Sequence, residues 1–404
     1  MAAGLASGPP EQLNMATREF DVIVYGATGY TGRLVAEYML GTYGAGGEIA
    51  WAMAGRDAGK LAQVRGEIGG PDTLPLIIAD ASDPASQAGM AARTKVVLST
   101  VGPYQLYGSS LVAACAAAGT DYVDLTGESG WIAAMIGANE AAAKGSGARL
   151  VFSCGFDSIP FDLGVFFVQE QARAKGLGPL TRVRCRVRGL DGGLSGGTLA
   201  SGMATMAAVQ KDPSLGALLA NPFALTPGFV GPPQPDGDKI HEDAVAGSWV
   251  APFMMAAINT KAVHRSNFLL GHPWGKDFQY DEMLMIPGPP AEGAGPPGGF
   301  DFGTGPMPKP GEGPSKEARE RGFYDIVFIG QTADGKTLRA AVKGDMDPGY
   351  GSTSKMLAES ALCLARDVSH DATPGGAWTT ASAMGSALIK RLEAKAGLSF
   401  ALEG

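Results

Sequence analysis

Residues that bind metals or form disulfides are scarce in this sequence. Its 404 residues include only four cysteines and four histidines, with no CxxC and no HxxxH spacing. We therefore expect reduced thiols, as is typical of a cytoplasmic protein, and no metal site. Basic residues are outnumbered too, because 32 Lys and Arg stand against 40 Asp and Glu, for a net charge of −8. This balance argues against a nucleic-acid partner.

Long apolar runs are also missing. The longest one near a candidate membrane contact, residues 249–258, is far shorter than the roughly 20 residues that span a bilayer. The N-terminal residues lack the pattern of a signal peptide, and their Gly, Ser and Pro content predicts a disordered leader over residues 1–18. The sequence thus predicts a cytoplasmic protein, with a peripheral membrane contact and a homodimer left open.

Glycine, by contrast, is abundant, and its most informative positions lie near the start. Residues 22–25 form a short apolar run that ends abruptly at a glycine, which is typical of a strand buried on both faces. A helix with Thr31 as its N-cap is predicted to follow. The glycines of the intervening loop let backbone N–H groups approach a pyrophosphate. The loop comprises Gly26, Ala27, Thr28, Gly29, Tyr30, Thr31 and Gly32.

The GxxGxxG spacing of this loop is a weak signal alone, and a tight turn that binds nothing is the alternative. Short apolar runs and helical patterns nevertheless alternate as far as residue 154. This alternation predicts an α/β fold with a Rossmann-type doubly wound parallel sheet, which binds ligands at the carboxyl ends of its strands. The cofactor-binding residues predicted there are Gly55, Arg56, Lys60, Asp80, Ala81, Val101, Gly102, Pro103, Gly127 and Glu128.

The end of the second strand indicates which cofactor binds. A carboxylate at this position pairs with the ribose hydroxyls of NAD, whereas an arginine pairs with the 2′-phosphate of NADP. Arg56 stands there without a carboxylate before it, and Lys60 follows. NADP is therefore the predicted cofactor; the alternative is that Arg56 is a solvated loop residue.

Three residues are candidates for catalysis. Asp157 and Ser158 follow the sixth strand, where the chain leaves the nucleotide-binding domain, so they are predicted near the interdomain cleft. Capping of the next helix is their alternative role. Tyr104 follows the fourth strand and is predicted near the nicotinamide, or else is a packing aromatic.

The second half of the chain predicts a different domain. Residues 323–332 and 336–344 form a hairpin, 287–314 a Gly- and Pro-rich loop, and 213–262 show no clear pattern. An α+β domain with an antiparallel sheet is expected. The predicted bounds are 1–18 for the leader, 19–155 for the NADP-binding domain, 156–347 for a substrate and dimerisation domain, and 348–404 for C-terminal helices packed back on the first domain.

From about residue 20 to its end, the chain resembles the saccharopine dehydrogenase-like oxidoreductases, and within them the bacterial trans-acting enoyl reductases. The resemblance implies a Rossmann domain, a mixed second domain and hydride transfer with NADPH. One motif departs from the family pattern, because Thr380 replaces a proline, which predicts a looser local turn. The stretches that carry the resemblance are VYGATGYTG at 24–32, AGR at 54–56, STVGPYQLYG at 99–108, DYVDLTGE at 121–128, CGFDSIPFDLG at 154–164, PGYGSTSKMLAESAL at 348–362 and GGAWTTASAMG at 375–385.

The predicted function is NADPH-dependent reduction of a hydrophobic, carrier-linked or free enoyl acyl substrate. A hydrophobic substrate is predicted because the residues expected to line the cleft include scarcely any Lys or Arg. An amino-acid imine reductase and a non-catalytic NADP sensor are the alternatives. Short-chain dehydrogenases use a Tyr-x-x-x-Lys pair, which no tyrosine of this chain begins. The predicted wall comprises Phe156, Ile159, Phe161, Leu163, Phe166, Phe167, Trp249, Phe253, Met254 and Met255.

Overall fold

The computed structural model describes residues 18–193, 195–289, 309 and 311–404. All of the predicted leader except Arg18 lies outside the described residues, as does most of the predicted loop 287–314. Among the described residues, no helix has both the length and the apolar character needed to cross a membrane.

The first sheet is wholly parallel and is built from strands β1 (Phe20–Tyr25), β2 (Trp51–Gly55), β3 (Leu76–Ile78), β4 (Thr94–Ser99), β5 (Asp121–Asp124), β6 (Arg149–Val151) and β13 (Gly376–Trp378). Their order is β13-β6-β5-β4-β1-β2-β3. Every residue of β1 is buried, since neighbours pair with it on both edges and helices cover both faces. The connecting helices are α1 (Tyr30–Tyr43), α2 (Ala58–Glu67), α3 (Pro84–Ala91), α4 (Tyr104–Tyr107), α5 (Ser109–Ala118) and α6 (Ser129–Ser146).

The second sheet is mixed and is built from β7 (Arg182–Asp191), β8 (His241–Asp243), β9 (Ser248–Pro252), β10 (Gln279–Ile286), β11 (Phe323–Gln331), β12 (Thr337–Gly344) and β14 (Leu398–Glu403), in the order β14-β12-β11-β7-β10-β9-β8. The predicted hairpin is β11 and β12. The expected antiparallel pairing holds for all strand pairs of this sheet except β7 with β10, which pair in parallel. A parallel pair needs a long crossover, and the helices between the two strands supply it.

The remaining helices cover this sheet and join it to the first domain. The C-terminal segment was predicted to contain helices alone, but it also adds β13 to the first sheet and β14 to the second. β13 has only three residues, too few for a recognisable alternation of apolar and polar side chains. The helices are α7 (Ile159–Ala174), α8 (Gly196–Lys211), α9 (Ser214–Ala220), α10 (Ala256–Leu269), α11 (Lys316–Arg321), α12 (Thr353–Arg366), α13 (Thr380–Ala383) and α14 (Gly385–Arg391), with π-helical turns at Pro348–Ser352 and Leu392–Ala396.

A buried ion pair fixes the C-terminal segment to the first sheet. Arg149 on β6 pairs with Asp121 on β5, and the same guanidinium donates to the carbonyl oxygens of Leu364 and Val368 at 2.7 and 2.8 Å. Because both side chains are almost fully buried, these bonds offset the loss of their hydration. Helix α12 is thereby held beside the first sheet.

The turn at Thr380, where the family pattern has a proline, is held by hydrogen bonds. The Thr380 hydroxyl donates to Asp162 on α7 at 2.8 Å, and the Ala381 N–H donates to the same carboxylate oxygen at 2.8 Å. Thr379 and Ser382 form a reciprocal capping box at the start of α13. Threonine thus supplies a hydrogen bond at this turn that proline cannot make.

Candidate cofactor and active site

The candidate site lies where the parallel strands end. β1 lies between β2 and β4, so the direction of strand succession reverses at its carboxyl end, and open α/β sheets bind ligands at this point. The loop after β4 is tied to it, since the Thr100 N–H donates to the carbonyl oxygen of Tyr25 at 2.9 Å. The sequence-predicted loops after β1, β2, β4, β5 and β6 thus meet along one edge.

The three glycines of the first loop have different structural roles. Gly26 has a φ of +91°, and a Cβ there would lie 2.6 Å from the Thr100 hydroxyl. A Cβ on Gly32 would collide with the carbonyl oxygen of Gly26, so this residue permits close packing of α1 against the loop. A Cβ on Gly29 would meet only the Gly26 carbonyl oxygen, at 3.3 Å. Gly29 therefore has an open side.

Helix α1 begins two residues earlier than predicted. Gly29 is its N-cap, without a side-chain capping bond, so the prediction that Thr31 caps the helix is wrong. The Gly29 N–H already donates to the carbonyl oxygen of Gly26 at 2.9 Å, which starts the helix at Tyr30. The free N–H groups of this first turn form a site where an anion can bind.

A cavity of about 300 Å³ opens beside this helix start. Lys60, one of the two predicted cations, lines it, whereas Arg56 is exposed outside the lining. Arg33 also lines the cavity, although the sequence analysis did not select it, and it lies 3.7 Å from Glu67. Two cations thus lie next to the glycine loop, one of them beside the Glu67 carboxylate. The full lining is Thr28, Gly29, Tyr30, Arg33, Lys60, Gln63, Val64, Glu67 and Gly311.

The strand ends beside this cavity are ordered by local hydrogen bonds. A Cβ on Gly55 would lie 3.8 Å from the Thr28 hydroxyl, so the end of β2 borders the glycine loop. Asp80, followed by Ala81 after β3, accepts from the N–H and hydroxyl of Ser82, both at 2.8 Å. These bonds lower the pKa of Asp80, and the bond from the Ser82 N–H has the largest effect. The charge of Arg56 lowers the pKa slightly further.

Tyr104 lies in the core beside the loop Val101, Gly102 and Pro103. Its hydroxyl donates to the carbonyl oxygen of Ser99 at 3.0 Å, and its ring packs against Trp131 with centroids 5.5 Å apart. Burial raises the pKa of this hydroxyl well above its ordinary value. These contacts favour the packing role, which the sequence left open, over proton transfer.

Glu128 connects three elements at the end of β5. Its carboxylate accepts from the N–H groups of Tyr104 and Gln105 at 2.9 and 2.8 Å, which places a negative charge at the N-terminus of α4. It also accepts from the Ser201 hydroxyl of α8 at 2.9 Å. With its carboxylate engaged in these bonds, Glu128 positions the loops around the site.

Asp157 and Ser158 lie together at the end of β6, close to Gly127. An Asp157 carboxylate oxygen lies 3.8 Å from the position of a Cβ on Gly127. No cation or hydrogen-bond donor among the described residues pairs with this carboxyl group, and loss of water contact raises its pKa to about 7. Part of Asp157 nevertheless stays accessible.

Ser158 is buried, and its hydroxyl has no partner among the described residues. It is the N-cap residue of α7 but makes no side-chain capping bond, so the alternative of helix capping by its side chain is wrong. An unpaired hydroxyl beside an unpaired carboxyl group is costly to bury. A buried polar group without a partner is therefore a candidate for a functional role.

Comparison with known proteins identifies the family. No protein-family model matches the chain. A Mycobacterium tuberculosis protein with the provisional name of trans-acting enoyl reductase is 42% identical over 412 aligned residues, 95% of this chain and 97% of its own. A trans-acting enoyl reductase of the same species is 38% identical, over 94% and 97% of the two chains. The chain belongs to the trans-acting enoyl reductase family. It is an oxidoreductase.

The fold agrees with this membership. The apo saccharopine dehydrogenase (L-Glu forming) of Saccharomyces cerevisiae superposes with a TM-score of 0.54 and 14% identity, over 95% of this chain and 100% of that one. At such low identity the likeness shows the fold alone. This member of the enoyl reductase family therefore has the saccharopine dehydrogenase-like architecture of a Rossmann domain followed by a mixed sheet.

Tyr350 also belongs to the site, but it was not among the residues predicted from the sequence. The Tyr350 hydroxyl accepts from the Ser195 N–H at 2.5 Å and shares a hydrogen bond with Thr198 at 2.7 Å. Its ring packs edge-on against Tyr30 of the glycine loop, 5.2 Å away. Burial raises the pKa of Tyr350, and the nearby Asp157 adds to this effect. Tyr350 thus links the glycine loop to the start of α8.

The predicted apolar cleft wall is largely wrong in this family member. Phe156, Ile159, Phe161 and Leu163 are at most 2% exposed. Phe156 packs edge-on against Tyr324 and Phe161, so these side chains form the core between α7 and the second sheet. An apolar run in a sequence does not distinguish a core from a cleft. Among the ten residues predicted to line the cleft, Met254 is the one whose side chain is exposed, at 49%.

Proposed function

We propose that this protein reduces the carbon–carbon double bond of a hydrophobic enoyl acyl substrate with NADPH. The observation that carries the proposal is the unpaired Asp157 carboxyl group beside the unpartnered Ser158 hydroxyl, at the carboxyl edge of the nucleotide-binding sheet. The names of the relatives, as enoyl reductases, support an acyl substrate. The fold and those names support a nicotinamide cofactor.

The residues present fit such a cofactor. The glycine loop is followed by the free N–H groups at the start of α1, and Gly29 has an open side. The adjoining cavity has Lys60 and Arg33 in its lining. The loop would hold the pyrophosphate, and Lys60 together with Arg56, which is exposed at the end of β2, would hold a 2′-phosphate. When bound, NADPH supplies a hydride to an electron-poor carbon.

The protein's own residues would then manage charge and protons. Addition of a hydride at the β carbon creates an enolate, whose negative charge needs a hydrogen-bond donor. The Ser158 hydroxyl is fully buried, so it would donate to that oxygen only after its side chain turns towards the substrate. Protonated Asp157 would transfer its proton to the α carbon. The accessible part of Asp157 allows water to restore the proton. The balance is one hydride and one proton added across the double bond.

The preference for NADPH is testable at Arg56 and Lys60. A charge-assisted contact to the 2′-phosphate contributes about 1.5 to 3 kcal/mol, so Arg56→Ala and Lys60→Ala should each weaken NADPH binding about tenfold or more. NADH binding should change little, because NADH lacks that phosphate. Isothermal titration with both cofactors measures this, with Arg173→Ala, an exposed arginine at the end of α7, as the matched control. Equal wild-type affinities for both cofactors would refute the assignment.

The reaction itself is tested by NADPH oxidation with a panel of acceptors. Enoyl thioesters of increasing chain length are compared with α-aminoadipate semialdehyde plus glutamate. We expect turnover with the enoyl thioesters only. Turnover with the amino-acid pair alone would reject the acyl substrate, and NADPH binding without turnover of any acceptor would indicate a non-catalytic NADP-binding protein.

A further inference from the structure

A second cavity, of about 600 Å³, lies in the segment for which the sequence showed no clear pattern. Apolar side chains dominate its lining, among them Leu218, Phe223, Pro227, Phe229 and Val230. No charged side chain is part of the lining within the described chain. Val230 is 81% exposed at its rim. An apolar cavity open to solvent is typical of a binding site for an uncharged ligand.

The two polar side chains of the lining bond to the backbone of the same loop. The Asn221 side-chain oxygen accepts from the Phe223 N–H at 2.9 Å. The Thr226 hydroxyl donates to the carbonyl oxygens of Phe223 and Phe229, both at 2.9 Å. These bonds hold the loop in shape and use the Thr226 hydroxyl, so the exposed Asn221 amide N–H2 is the one side-chain donor left among the described lining residues. The cavity therefore favours a hydrocarbon.

Helix α10 connects this cavity to the active site. At its start, Ile258 packs over Gly127, with its Cδ1 atom 2.8 Å from the position of a Cβ on that glycine. Lys261 donates to the carbonyl oxygen of Leu219 at 2.6 Å, and the His264 ring lies 4.5 Å from that of Phe223. From Ile258 to His264 the helix rises by about 9 Å. The cavity lining thus begins within one or two helical turns of the Asp157 site.

Helix α9 also borders this cavity. Leu215 lies 3.7 Å from the position of a Cβ on Gly130, which follows the site residue Glu128. One turn later, Leu218 lines the cavity. Helix α9 therefore borders both the start of α6 and the apolar cavity, whereas α10 runs from the surroundings of Gly127 to that cavity.

We infer that this cavity binds the distal part of the substrate's acyl chain while the double bond lies at Asp157 and Ser158. The inference rests on the proposed function and adds a second subsite to it. A hydrocarbon chain fits the uncharged lining, and its burial gains roughly fourfold in affinity per methylene. Substrates too short to pass the start of α10 gain nothing from the cavity. This subsite therefore selects substrates by the length of the acyl chain and not by the reacting group.

The test measures direct binding of saturated thioesters, which requires no turnover. Dodecanoyl and butyryl N-acetylcysteamine thioesters are titrated into the full chain by calorimetry. Wild type should bind the dodecanoyl thioester at least about a hundredfold more tightly than the butyryl one. Val230→Asp, which charges the rim, and Ala217→Phe, which fills the lining from an exposed position, should each weaken dodecanoyl binding at least tenfold and leave butyryl binding unchanged. Val245→Asp, an exposed valine in the turn between β8 and β9, is the matched control.

Equal binding of the two thioesters by wild type, or an unchanged preference in both cavity variants, would overturn the subsite. A variant that alters the sedimentation coefficient and keeps its chain-length preference would identify the cavity as an interface between copies, which also overturns it. The enoyl panel separates this inference from the proposed function. Binding that depends on chain length, without any NADPH oxidation, would support the subsite and reject the reductase activity. Reduction whose dependence on chain length is the same in wild type and in both cavity variants would support the reductase activity and reject the subsite.

Discussion

Asp157→Asn should lower kcat for enoyl reduction by roughly 10² to 10⁴, the usual contribution of a general acid. Asparagine keeps the shape of the side chain but cannot give up a proton at neutral pH. NADPH binding should be unchanged, because Asp157 is not part of the glycine loop or of the cavity beside it. Steady-state kinetics and a cofactor titration on the same preparation measure both effects.

Asp162→Asn is the matched control for this variant. Asp162 is also a buried carboxyl group whose pKa burial raises, to about 6, but its oxygens accept hydrogen bonds from Ser266, Thr380 and Ala381. Removal of an acceptor there should cost about 1 to 3 kcal/mol of stability and leave kcat of the folded protein near wild type. An equal loss of kcat in both variants would contradict the assignment of Asp157.

The pH dependence should follow the same group. The acid is active when protonated, so kcat should fall as pH rises through about 7, the pKa of Asp157, and the Asn variant should lose this dependence. In the folded state the pKa lies above its unfolded value, so Asp157 destabilises the fold increasingly as pH rises from roughly 4 to 7. At pH values above this range, the melting temperature of Asp157→Asn should therefore equal or exceed that of wild type.

Gly29→Val should weaken NADPH binding by at least about a hundredfold, since loss of two charge-assisted bonds to a pyrophosphate costs about 3 to 6 kcal/mol. A valine side chain would enter the cavity that Gly29 lines. The circular dichroism spectrum should stay that of wild type, because a Cβ at this position meets only one atom, at 3.3 Å. Calorimetric titration and thermal unfolding check the two parts separately.

Gly32→Ala provides the contrast within the same loop. Its Cβ would collide with the Gly26 carbonyl oxygen, so the variant should lower the melting temperature, and weakened NADPH binding should accompany the loss of structure. Normal NADPH affinity in Gly29→Val would show that the glycine loop does not hold the cofactor.

The first domain could be predicted from the sequence because its signals are local. The buried run before Gly26 and the regular alternation of strands and helices place the strand ends, and the parallel topology then brings them to one edge. Arg33 escaped selection because its place in the cavity lining depends on how α1 and α2 lie beside each other. No single motif encodes such a relation.

The second domain was less predictable for physical reasons. The apolar side chains after Asp157 could equally have lined a cleft, and only packing against β11 assigns Phe156 and Phe161 to the core. The second cavity arises in a loop without periodicity, whose shape depends on bonds such as that from Thr226 to Phe229. β14 adds a strand beside β12 that lies far from it in the chain.

The proposed reaction is tested most directly by transfer of deuterium to an enoyl thioester from NADPH that carries deuterium at both C4 positions of the nicotinamide. If the protein is an enoyl reductase with Asp157 as the acid, mass spectrometry of the product should find one deuterium, at the β carbon. The α carbon should carry a proton from water, with far less product from Asp157→Asn. A saturated product without deuterium at the β carbon, or no product from any enoyl thioester while NADPH is bound, would contradict the proposed reaction.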